Sequence, residues 1–245
     1  MDAGLVDYKL CDKNFDCESC PFDVIMKKQY HPFAERAVMQ SEKAVSDFSQ
    51  MNIIERLTEQ IRSADFPDDR LYFSNHTWMK KMEGEEFQIG IDAFLATLLH
   101  PINSAIFVNP SSRIANDSPC AWVIHDNQTF TLHNPLPGTV RTINAALTSK
   151  PGMMSTDCYE QGWVLTITAQ ENALNVPRCY TSDEFRSLVD TDLHRIESIM
   201  HQSLKRHYSL VGSTMYDGGA RVDTIEQFIG EKRYTQMISR LIRLK

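Results

Sequence analysis

Apolar residues recur at three- and four-residue steps from about Phe33 to Ile61: Ala37, Val38, Ala44, Val45, Phe48, Met51, Ile54, Leu57 and Ile61. That period predicts a long helix with one stripe to bury. Pro67, followed by Asp68 and Asp69, ends it. Between about 71 and 170 the texture changes. Short β-rich runs at 87–91, 105–108, 121–124, 129–132, 138–142 and 163–169 are separated by Pro, Asn and Gly. Many short strands with frequent turn residues predict a barrel or sandwich rather than alternating β-α units. From about 177 the helical period returns. Thr181-Ser-Asp-Glu184 has the arrangement of a capping box. Phe185, Leu188, Val189, Ile196, Ile199, Met200 and Leu204 then form a stripe. Gly212 and the pair Gly218-Gly219 separate this helix from a last one over about 224–244.

The pattern divides the chain into three: 1–68, a cysteine-containing segment plus the long helix; 69–172, a β domain; and 173–245, a helical region. The class is α+β. The helical stripes can be buried by packing on the β domain, against one another, or across a homodimer.

Composition adds exclusions. The 245 residues carry 25 basic and 32 acidic groups, a net charge of -7, which disfavours nucleic acid as a partner. Lys232, Arg233, Arg240, Arg243 and Lys245 are spread around the last helix and read as a solvated face. No apolar run approaches the roughly 20 residues needed to span a bilayer. The first residues, Met1-Asp-Ala-Gly-Leu-Val-Asp7, lack a basic region leading into an apolar stretch, so a cytoplasmic location without membrane contact is expected.

The order of residues in the middle third is specific. Tyr72-Phe-Ser-Asn-His76-Thr-Trp78 is followed by Ile89-Gly90-Ile91-Asp92, an apolar stretch 93–99, Ile106-Phe-Val108 and Pro135-Leu-Pro-Gly138-Thr-Val140. Asn144, Leu147, Pro151, Asp157, Tyr159, Gly162 and Trp163 continue the series. Residues of about 71–170 resemble the glycine-cleavage H-protein family in these pieces and in their order. The resemblance implies a barrel-sandwich hybrid of the lipoyl-domain type with a short helix at 93–99.

That family carries its chemistry on one lysine at the tip of a β-hairpin, acylated by lipoate so that a swinging arm bears the reactive dithiolane. The surrounding pattern is Glu-Ser-x-Lys, eight residues before the Pro-x-x-Gly element. Counting back from Pro135 places Asn127 at the lysine position, preceded by Ile124, His125 and Asp126. No alignment shift restores the lysine, because none occurs between Lys81 and Lys150. Asn127-Gln128 suits a tight turn but offers no nucleophilic amine. No covalent lipoyl group is therefore expected.

Six cysteines are present, and three fall together as Cys11-x5-Cys17-x2-Cys20-Pro21. Cys-x2-Cys lets two thiolates grip one ion from a tight turn, and a nearby third is easily added. A zinc ion or an iron–sulfur cluster is the candidate ligand, with His31 the nearest fourth donor. The competing reading is packing of these thiols as small apolar residues. Cys120 and Cys158 read as buried, inert thiols. His125 and His133 flank the hairpin tip beside Asp126, where a solvated loop is expected. His76 belongs to the family signature, and its role reads as structural or interfacial. Phosphate loops, Gly-x-Ser-x-Gly elbows and His-Glu-x-x-His are absent from the sequence, so no enzyme is expected.

Three functional classes follow. The first is a non-catalytic H-protein-like adaptor that docks on protein partners, lipoyl-handling or redox enzymes among them. The second is a metal or redox protein acting through Cys11, Cys17 and Cys20. The third is an authentic glycine-cleavage component.

Overall fold

The computed structural model describes residues 53–169, 178–210 and 222–244, all within one compact unit. It opens with helix α1 over 53–62. Ile54, Thr58 and Ile61 are buried and Leu57 is half-buried, so the stripe read from the sequence is the packed face. The earlier part of that stripe lies outside the described residues.

Ten strands follow: β1 (Leu71–Phe73), β2 (Thr77–Lys81), β3 (Glu86–Ile91), β4 (Ser104–Phe107), β5 (Arg113–Ile114), β6 (Pro119–His125), β7 (Gln128–His133), β8 (Gly138–Ile143), β9 (Leu165–Ala169) and β10 (Cys179–Tyr180). Helix α2 (Ala93–Leu98) joins β3 to β4, and the single turns α3 (Ala146–Ser149) and α4 (Met153–Thr156) join β8 to β9. The chain ends in α5 (Ser182–Leu210), α6 (Ile225–Ile229) and α7 (Glu231–Leu241). One sheet has seven strands in the order β10-β1-β2-β3-β9-β8-β5; the other has three, β4-β6-β7. Every pairing is antiparallel. The architecture is α+β.

Local chemistry explains the family-like punctuation. Trp78 on β2 sits opposite Gly90 on β3. A Cβ at Gly90 would lie 2.5 Å from the Trp78 ring, so only glycine leaves room for the indole. The indole Nε1–H is shared between the carbonyls of Ile91 at 2.9 Å and Cys158 at 3.2 Å. Arg70, nearly buried, lies over the rings of Trp78 and Tyr159 at 4.7 and 4.8 Å. Asn144 donates to the carbonyls of Gln161 and Trp163, which fixes the 157–163 loop. This loop also delays β9, which starts at Leu165 rather than at 163 as the apolar run predicts.

The helical flanks share this core. Phe185, Val189, Leu193, Ile196 and Met200 of α5 and Tyr234, Ile238 and Leu241 of α7 are buried with Tyr72, Phe94 and Phe130. Thr181 and Glu184 make the capping box, Glu184 accepting from the Thr181 N–H at 3.1 Å. The last helix is split where the periodicity alone predicts continuity. Gly230 has φ +86°, a conformation outside the helix that glycine adopts without a Cβ clash, and α7 starts a new direction there.

His76 occupies the buried centre. Its φ is +59°, and its ring stacks on Phe94 at 4.6 Å. Nδ1 lies 2.8 Å from Asp92 and Nε2 lies 3.5 Å from Asp192 on α5, with all three side chains almost fully buried. Burial alone would lower the imidazole pKa, but the two carboxylates outweigh it and raise it to about 9. His76 is therefore a charged structural tie between the β1–β2 turn, α2 and α5.

Candidate functional site

The hairpin of β6 and β7 closes with a two-residue loop, Asp126-Asn127, since His125 pairs directly with Gln128. Asp126 takes the left-handed region at φ +50°, which Asp tolerates better than most residues. Asp126 and Asn127 are exposed; His125 and Gln128, one step back, are buried. Asn127 thus stands at the outermost point of the hairpin, where the resemblance places the acylated lysine.

The rest of the tip is not the solvated loop expected from the sequence. His125 Nδ1 faces the Pro101 carbonyl at 2.9 Å, and Nε2 faces Glu226 Oε2 at 3.1 Å. Gln128 donates to Glu226 and accepts from the Thr235 hydroxyl. The Asp126 N–H donates to Asn103 Oδ1 at 2.7 Å. Tyr234 lies 5.6 Å from the His125 ring, stands edge-on to Phe130, and donates its hydroxyl proton to the Leu98 carbonyl. Burial pushes the Tyr234 phenol pKa up, so that proton stays in place. Thr224 caps α6 through the Gln227 N–H at 3.2 Å, which sets Glu226 in the first turn facing the hairpin. The C-terminal helices therefore clamp one side of the tip, where Asp126 and Asn127 stay exposed. Glu226, Tyr234 and Thr235 carry no motif, and only the fold brings them here.

Cys11, Cys17, Cys20 and His31 lie outside the described residues. Cys120 and Cys158 are buried, and burial pushes both thiols up to about 12, which keeps them protonated and inert at neutral pH. His133 is half-buried beside the Ile242 carbonyl, and His194 and His201 are exposed on α5.

Residues 70–191 match the family model described as Glycine cleavage H-protein. The glycine cleavage system H protein of Coxiella burnetii is 31% identical over 133 residues, which cover 53% of this chain and 98% of the relative. The chain belongs to the glycine cleavage H-protein family. The Bacillus subtilis H protein is 26% identical over 126 residues, 51% of this chain and 98% of its own length. The mitochondrial H protein of Drosophila melanogaster is 21% identical over 123 residues, 50% of this chain and 74% of its own. A solved H protein from Mycobacterium marinum overlaps with a TM-score of 0.45 at 20% identity, covering 50% of this chain and 97% of that one. The H-protein match ends within α5, so α6 and α7, which clamp the hairpin, lie beyond it. Among the described residues no helix is long and apolar enough to cross a membrane.

Proposed function

We propose that this H-protein family member is a non-lipoylated, non-catalytic binding module. The observation that carries the reading is the lysine gap from 82 to 149, with Asn127 at the exposed end of the hairpin. Acylation by lipoate needs a side-chain amine on that hairpin, and this stretch supplies none. The two antiparallel sheets are read as the barrel-sandwich hybrid of lipoyl-type domains. The exposed tip is the proposed contact for a protein partner, and enzymes that handle lipoyl or redox groups are the proposed class. Calorimetry against purified glycine-cleavage partner enzymes tests this. Saturable binding that Asn127→Trp weakens supports the adaptor reading. No binding to any of them removes that partner class.

The spacing of Cys11, Cys17 and Cys20 favours a second, separable activity: a zinc ion or an iron–sulfur cluster at the N-terminal segment, with His31 as candidate fourth donor. Metal analysis and the absorption spectrum of anaerobically purified protein distinguish zinc, a cluster and neither.

A further inference from the structure

The two ring nitrogens of His125 both face acceptors. Nδ1 is 2.9 Å from a backbone carbonyl, that of Pro101, and Nε2 is 3.1 Å from the Glu226 carboxylate. The Pro101 oxygen can only accept, so it claims the Nδ1 proton. A neutral ring then turns the bare Nε2 lone pair toward an anion. In that tautomer Nε2 and the Glu226 carboxylate are two donors 3.1 Å apart that a single cation could share.

A third donor converges on the same point. One ligand atom each from His125, Asp126 and Glu226 lie within 4.8 Å of one another. A single Nε2–H can satisfy one carboxylate, whereas a divalent ion can neutralise both. The supporting bonds are those a metal site requires. A ligating histidine ordinarily donates its other N–H to a carbonyl or carboxylate, which fixes tautomer and ring orientation. Here Pro101 has that role. Glu226 is aimed by Gln128, which is aimed in turn by Thr235. Asp126 is held at its backbone by Asn103. His125 is buried and Asp126 is exposed, so the donors form a fixed base with an open side through which an ion can enter.

We propose that His125, Asp126 and Glu226 bind a divalent transition-metal ion at the hairpin tip, through one imidazole nitrogen and two carboxylates, with water completing the coordination. A nitrogen–oxygen set of this kind suits zinc, cobalt(II), iron(II) or manganese(II) rather than soft thiolate-seeking ions. The site ties the family hairpin to the helices that lie beyond the H-protein match, so the ion would lock the clamp.

The test uses the full chain carrying Cys11→Ser, Cys17→Ser and Cys20→Ser, so that the N-terminal thiols cannot contribute. Titration with Co2+ is expected to give one saturable equivalent with weak visible bands and no intense thiolate-to-metal absorption. Asp126→Asn, at an exposed position that leaves the fold intact, is expected to weaken Co2+ binding at least about tenfold, as is Glu226→Gln. Zn2+ is expected to raise the melting temperature of the Cys-substituted chain and to lose that effect in both variants. Absence of saturable Co2+ binding would overturn the proposal, as would binding that Asp126→Asn and Glu226→Gln leave unchanged.

Discussion

Tyr234 reports whether the C-terminal helices hold the hairpin. Its side chain is 2% exposed and touches His125, Phe130 and the Leu98 carbonyl. Tyr234→Ala removes a buried aromatic ring. Such a ring buries about 150–250 Å2, worth roughly 4–6 kcal/mol at about 25 cal/mol per Å2 and fewer once the unfolded chain's own burial is counted. Aromatic-to-alanine changes in cores cost about 3–5 kcal/mol, so a loss near 4 kcal/mol is expected. Tyr234→Phe keeps the ring but removes the donor to Leu98, for an expected loss of about 1–2 kcal/mol. Urea denaturation of the full chain, followed by circular dichroism, measures both as shifts in midpoint at constant slope. Hydrogen exchange in the same variants should quicken at α6 and α7 before the sheets. A Tyr234→Ala loss under about 1 kcal/mol would show that α7 does not rest on the hairpin, because an undocked ring has no burial to lose.

Three further predictions follow from the same structure. His76, with its pKa raised from 6.5 to about 9, contributes stability that is complete below pH 6.5 and lost as pH rises through 9. His76→Asn, which tolerates the left-handed backbone, should flatten the stability profile between pH 6.5 and 9; parallel profiles for the two proteins would refute the buried imidazolium. Gly90→Ala drives a Cβ into an indole held by two hydrogen bonds, so thermal denaturation should show a loss of about 1–3 kcal/mol; an unchanged midpoint would show that the ring can move. In the chain with Cys11, Cys17 and Cys20 changed to Ser, a chromogenic disulfide should react quickly with exposed Cys179 and reach Cys120 and Cys158 only on unfolding; three fast thiols in the native protein would contradict their burial.

The legible parts of the fold were those where a short-range rule decides. The β-rich runs that form β3, β8 and β9, the capping box at 181–184 and the α1 stripe follow from residue type, helical period and local hydrogen bonding. β1 and β2 carry no clear alternation, and only the ordered residues Tyr72, His76 and Trp78 marked that region. β5 and β10 are two-residue edges with too little pattern to see. Gly230 falls inside the apolar period of 224–244, and its φ of +86° divides that stretch into α6 and α7. The site divides in the same way. Asn127 was found by counting along the chain. His125 meets Glu226, 101 residues away, and no local signal links the two.

We propose that this H-protein family member carries no lipoyl arm. The most direct test is the intact mass of the full chain after co-expression with a lipoate ligase and added lipoate, beside a lipoylatable domain in the same cells. The control should gain one lipoyl group while this chain keeps the mass of its unmodified sequence. A lipoyl adduct on this chain, mapped by peptide fragmentation to any residue, would overturn that reading.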